Sequence, residues 1–282
     1  MKWVFFGTSN FAAIILEKFI QNNFLPSLVV TNPDKPAGRK KILFSSPVKV
    51  IATQNKLKIW QPENLSLENP KEDKYNFGIL ASYGKIIPPK IINLFSLGII
   101  VVHPSLLPKY RGPTPIQSFI LSGEKETGVT LFLMDEKIDH GPILIQKKIS
   151  NNEENLEEIT YQALHNKLAE ISANLVLEII PKFLTQQIIP VPQNEKIATY
   201  TKKFTLEDAF IKEEDLKKAI ENGGNEAINI DRKIRALNPE PGVWTIKNGK
   251  RIKLLKAKII NKKLKLIQIQ KEGRKPEFNS QI

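Results

Sequence analysis

The sequence contains no cysteine. That absence removes thiolate nucleophiles, disulfide staples and every zinc or iron–sulfur site built on sulfur. Histidine is scarce too. Only His103, His140 and His165 occur, and no two of them are spaced as an HExxH pair, so no metal is expected. No apolar run approaches the roughly 20 residues that a membrane span needs. The opening MKWVFFGTSN turns polar too early for a signal peptide. A cytoplasmic protein with no membrane partner is therefore expected. Acidic residues are in deficit as well: 29 Asp and Glu stand against 42 Lys and Arg, a formal charge of +13.

That surplus is not evenly spread. Residues 201–282 carry 20 Lys and Arg against 11 Asp and Glu, a net of +9. Between Lys247 and Lys275 there are twelve basic residues and one acid, Glu272. Concentration in one segment favours a polyanion-binding face over a generally Lys-rich surface. The remaining composition, 41% hydrophobic and 25% charged, is ordinary globular usage. The 282 residues leave room for two domains.

Apolar runs and helical periods alternate along the first part of the chain. KWVFFG, PSLVVT, KIW, NFGILAS and GIIVVH read as short buried strands. TSNFAAIILEKFIQN and SPVKVIATQNK read as helices, with Ser9 or Asn10 able to cap the first and Pro47 in the first turn of the second. Such alternation predicts a mostly parallel, Rossmann-like sheet covered on both faces, with ligands bound beyond the strand carboxyl ends. A long helix is expected over residues 155–184, with Ile159, Leu164, Leu168 and Ile171 inward and His165 either partly exposed or packing. The stretch IIPVPQNEKIATYTKKF, without helical period, reads as a connection. Beyond it, GVWTIKNGKRIKLLKAKIINKKLKLIQIQ predicts antiparallel strands of a small OB-like barrel, turning at KNGK and INKK, with one basic face. The expected division is residues 1–189, a linker over 190–206, and a C-terminal domain over 207–282.

Candidate chemistry gathers at two places. FFGTSNF follows a strand but lacks both GxGxxG and GxxxxGK[ST], so it reads as a tight turn. His103 ends an apolar strand and opens HPSLLP, where Pro104 and Pro108 are expected to hold an extended backbone that offers main-chain groups to a planar ligand. Downstream, MDEKIDHG places Asp135 and Asp139 four apart in a polar loop. A carboxylate from that loop is expected to orient the imidazole and match its charge. Asp139 is the stronger candidate, Asp135 reads equally well as a turn former, and His140 reads as a loop residue.

The segments HPSLLPKYRGPTPIQ, ETGVTLFLMDEKIDHGPIL, TNPDKPAGRKK and IRALNPEPGVWT together resemble the folate-dependent formyltransferases, in order over nearly the whole chain. The PDKPAGR and RALNPxPG stretches resemble those members that act on the initiator methionyl-tRNA in translation initiation. The resemblance implies a Rossmann-like domain followed by an OB-like one, and 10-formyltetrahydrofolate as the co-substrate. It implies that His103 and Asp139 are the catalytic pair and that Ser105, Leu106, Leu107 and Pro108 line the folate site. Arg39, Lys40 and Lys41 would reach the acceptor end of the tRNA; the basic RIKLLKAKIINKKLKL face, apart from the resemblance, is expected to hold its phosphates through Lys256, Lys258 and Lys263. A monomer is expected.

One position departs from the pattern. The family reads Asn-x-His where this chain reads Val101-Val102-His103. Amine attack on a formyl carbon builds a tetrahedral oxyanion, and an asparagine can donate to it where valine cannot. Loss of one such donor costs about 10²–10³ in rate. The shape of the strand should survive, because valine favours strands. Two other readings remain open: a sugar N-formyltransferase with the same donor, and a non-catalytic tRNA- or folate-binding relative.

Overall fold

The computed structural model describes residues 1–37, 42–65, 75–151 and 153–278. In chain order they form β1 (Trp3–Gly7), α1 (Asn10–Gln21), β2 (Leu28–Val30), β3 (Lys35–Ala37), β4 (Ile42–Phe44), α2 (Pro47–Gln54) and β5 (Ile59–Trp60). Then come β6 (Phe77–Ala81), α3 (Pro89–Ile92), β7 (Ile99–His103), α4 (Pro115–Ser122), β8 (Glu126–Leu133), β9 (Ile143–Ser150) and α5 (Tyr161–Leu184). The C-terminal part adds α6 (Glu213–Glu221), α7 (Asn225–Leu237), β10 (Trp244–Lys247), β11 (Lys250–Ile260), β12 (Lys263–Lys271) and β13 (Glu277–Phe278).

The chain packs as two compact units. The first is Met1–Arg111, Gly128–Lys148 and His165–Thr199; the second is Gly112–Thr127, Ile149–Leu164 and Tyr200–Ile282. In the first unit the strand order is β5-β2-β1-β6-β7-β8-β9. The first five strands of that order are mutually parallel, and β8 runs antiparallel to β7. β1 and β7 are buried at all five positions, as expected for parallel strands covered on both faces. The flanking helices start where the sequence predicts. Ser46 accepts a hydrogen bond from the Lys49 amide (3.0 Å) and Pro47 occupies the first turn of α2. Ser9 occupies the N-cap position of α1, but its hydroxyl bonds Ser82 Oγ (2.8 Å) instead of a helix amide.

The second unit confirms the predicted hairpins. Lys247 pairs with Lys250 and Ile260 with Lys263, leaving two-residue turns. Asn248 and Gly249 have φ of 49° and 72°, and Asn261 and Lys262 have φ of 50° and 64°, the positive values that such turns need. The expected OB-like C-terminal fold is a four-stranded antiparallel sheet in the order β10-β11-β12-β13, with α7 packed on β11 and α6 on β12.

The long helix begins at Tyr161, six residues later than the sequence suggests. Leu164 and Leu168 are fully buried as expected, whereas Ile159 and Ile171 are only half-buried. Ile159 lies ahead of the helix, and its carbonyl accepts from Arg235 Nη1 (2.9 Å). His165 is buried and sits edge-on to Phe11, so it packs. Among the described residues no helix is long and apolar enough to cross a membrane.

Candidate active site

His103 is the last residue of β7, at the carboxyl edge of the sheet, and is 5% exposed. Its Nε2 lies 2.9 Å from the Tyr110 carbonyl. A carbonyl can only accept, so Nε2 carries hydrogen, and the other ring nitrogen, Nδ1, faces Asp139 Oδ2 at 3.6 Å. The structure therefore brings together the two residues that the sequence singled out 36 positions apart. Asp135 does not join them. Its Oδ2 pairs with His140 Nδ1 (2.5 Å) and its Oδ1 accepts from the Lys137 amide (3.0 Å), so its turn-forming role is the observed one.

The HPSLLP segment corrects one expectation: it turns instead of running extended. The Ser105 amide donates to the His103 carbonyl (2.9 Å), and the Lys109 amide donates to that of Leu106 (3.1 Å). Main-chain groups expected to face a ligand are used within the protein. Thr130 Oγ1 donates to the Ser105 carbonyl (2.6 Å) and accepts from the Leu107 amide (3.0 Å). Gln146 Nε2 donates to the Leu107 carbonyl (2.8 Å) and to Thr130 Oγ1 (2.8 Å). The Ser105 hydroxyl donates to the Lys109 carbonyl (2.7 Å). The physical reason is register: antiparallel β8 sets Thr130 directly opposite His103, where its hydroxyl catches the loop as it folds back.

Sequence patterns do not single out Thr130 and Gln146, although a fully buried Thr inside the apolar run VTLFL is a signal. Nor do they single out Arg111, which is the largest fully buried side chain among the described residues. Its guanidinium meets Glu195 (2.6 and 2.9 Å) and Gln193 Oε1 (2.7 and 3.1 Å). The Arg111 hydrogen bond, foremost, holds the Glu195 carboxyl below the usual range, and the charges of Arg111, His140 and Lys137 act in the same direction. These partners come from the segment expected to be a connection. Val191 instead pairs with Ile143 (2.7 and 2.8 Å), and the Thr199 carbonyl accepts from the Arg111 amide (2.9 Å).

Val101 lies two residues before His103 and is 4% exposed. It packs with Leu107 and Phe132, and Leu80, Met134 and Ile143 cover that cluster. A buried apolar cluster thus lies directly behind the His–Asp pair. Arg39, Lys40 and Lys41 lie outside the described residues. Lys256, Lys258 and Lys263 are exposed, and Lys258 stands directly across from Lys265 on the paired strand.

Residues 1–180 match the formyl transferase family model, and residues 220–275 match that of the formyl transferase C-terminal domain. With a Rossmann-like sheet and a His–Asp pair at its carboxyl edge, the chain belongs to the formyl transferase family and is an enzyme of that class. Its similarity within the family is to methionyl-tRNA formyltransferases. That of Carboxydothermus hydrogenoformans is 40% identical over 262 residues, covering 92% of this chain and 80% of the relative. Among solved structures, the fold is shared with the methionyl-tRNA formyltransferase of Clostridium thermocellum (TM-score 0.62, 18% identity, 96% of this chain and 98% of that one). It is also shared with the N-formyltransferase of Helicobacter canadensis, in complex with folinic acid and dTDP-3-aminofucose (TM-score 0.64, 24% identity, 93% and 88%).

Proposed function

We propose that this chain transfers a formyl group from 10-formyltetrahydrofolate to the α-amino group of initiator methionyl-tRNA, acting in the cytoplasm as a monomer. The observation that carries this reading is the His103–Asp139 pair, set beside an apolar cluster in a chain 40% identical to a methionyl-tRNA formyltransferase. The division into residues 1–189, 190–206 and 207–282 remains our functional reading: a catalytic part, a connection and a tRNA-binding part. The two family matches support it.

The co-substrate supplies the formyl group. Leu106, half-buried, offers it apolar surface, whereas Leu107 and Pro108 are buried in the turn and Ser105 shapes it through the Lys109 carbonyl. In this reading the amine loses a proton as it adds to the formyl carbon, and His103 Nδ1 takes it. Asp139 then faces the charged ring at ion-pair distance. Returned to the departing donor nitrogen, the same proton balances the reaction. Arg39, Lys40 and Lys41 guide the aminoacyl end, and Lys256, Lys258 and Lys263 hold phosphates.

Single-turnover transfer to methionyl-tRNA tests this. The parent should form the formylated product, and His103→Ala should be about 10²–10⁴-fold slower. A parent that formylates an amino sugar but not methionyl-tRNA would reassign the acceptor.

A further inference from the structure

Asp139 faces His103 from a loop whose backbone is held in an unfavourable shape. Its φ is 48°, in the left-handed region, which aspartate adopts more readily than most residues but which still gains from support by its surroundings. Two residues on, a Cβ at Gly141 would run into the Leu133 carbonyl, so the chain there has no room to shift toward β8. On the other side stands Gln193. Its Nε2 donates to the Asp139 carbonyl (3.0 Å) and to the Gly141 carbonyl (2.9 Å). Its Oε1 accepts twice from Arg111, at 2.7 and 3.1 Å.

The amide can be oriented only one way. A guanidinium offers donors alone and the two carbonyls are acceptors alone, so Oε1 must face Arg111 and Nε2 must face the loop. Gln193 thereby makes all four of its hydrogen bonds. Arg111 is in turn fixed by its two hydrogen bonds with Glu195, which compensate for burying its charge. No other side chain of this size carries two donors and two acceptors. Glutamate would keep the Arg111 interaction but forfeit both donations.

We propose that Gln193, locked in orientation by Arg111, is a positioning residue for the catalytic pair: it pins the Asp139–Gly141 backbone so that the Asp139 carboxylate faces His103. The inference rests on the proposed formyl transfer for its kinetic readout only.

The test uses the full chain with Gln193→Glu, and Gln193→Ala as the second variant. Steady-state formylation of methionyl-tRNA should show kcat lower by about tenfold to a hundredfold. KM for both substrates should stay within about twofold, because the loss falls on the reacting geometry. In an Asp139→Asn background the same substitution should change kcat by less than about threefold, because the two residues act through one group. Hydrogen exchange followed by mass spectrometry should show faster exchange at residues 134–142 in both variants. Parental kcat with parental exchange overturns the proposal. So does a kcat loss that is undiminished in the Asp139→Asn background, since Gln193 would then act elsewhere. If the parent itself transfers no formyl group, the functional reading fails, and the exchange measurement alone still decides whether Gln193 pins the loop.

Discussion

At the scale of single residues, Val101 and His103 share one face of β7 but have opposite surroundings. The imidazole meets a carbonyl and a carboxylate. The valine meets Leu107 and Phe132, under Leu80, Met134 and Ile143. An asparagine introduced at Val101 would gain a donor two residues before His103 and give up apolar packing. Val101→Asn should therefore raise the single-turnover rate by about 10²–10³ while lowering stability by about 1–3 kcal/mol, the usual cost of an unsatisfied buried amide. Rate and urea midpoint measured on the same preparation check both signs. An unchanged rate would mean that another group already serves the oxyanion.

The segment from Val191 to Thr199 matters most among the elements. It reads as a connection because it lacks periodicity, yet it bridges Ile143, accepts from the Arg111 amide and supplies both partners of the Arg111 guanidinium. Its Glu195 gives the segment a pH signature. The folded-state pKa is lowered below 4.5, so the ionised form favours the native state. That contribution is full above the unfolded value and is lost as pH falls through the folded one. Glu195→Gln should accordingly be less stable than the parent near neutrality, and the gap should close as pH drops below 4.5. Urea midpoints across that range check it, and a gap that is constant with pH would contradict the charge-based account.

For the whole molecule, the +13 charge sets how it meets a polyanion. Exposed like charges face each other at Lys258 and Lys265, an arrangement that costs stability unless phosphates come between. Binding of methionyl-tRNA should weaken steeply with salt. Replacing Lys256, Lys258 and Lys263 by glutamate should reduce the slope of log affinity against log salt by roughly 0.7–0.9 for each phosphate no longer neutralised. Filter binding at several potassium chloride concentrations measures it. A slope unchanged by the substitutions would move the tRNA surface elsewhere.

Local chemistry by itself determines a good deal of this protein. Strands with apolar runs, helices opened by Ser9 and Ser46, and hairpins turning at Asn248-Gly249 and Asn261-Lys262 follow from periods and turn residues acting over a few positions. His103 and Asp139 are legible because each ends or follows an apolar strand in a motif. What no local pattern carries is pairing across the chain. That Asp139 and not Asp135 faces the imidazole depends on how the 134–142 loop leaves β8. That HPSLLP curls depends on the register placing Thr130 opposite His103. Arg111 reads as one more surface cation in a basic sequence. Only the packing of residues 191–199 within the first unit gives it Glu195 and Gln193, and so lets a guanidinium be buried beside the Asp139–Gly141 loop.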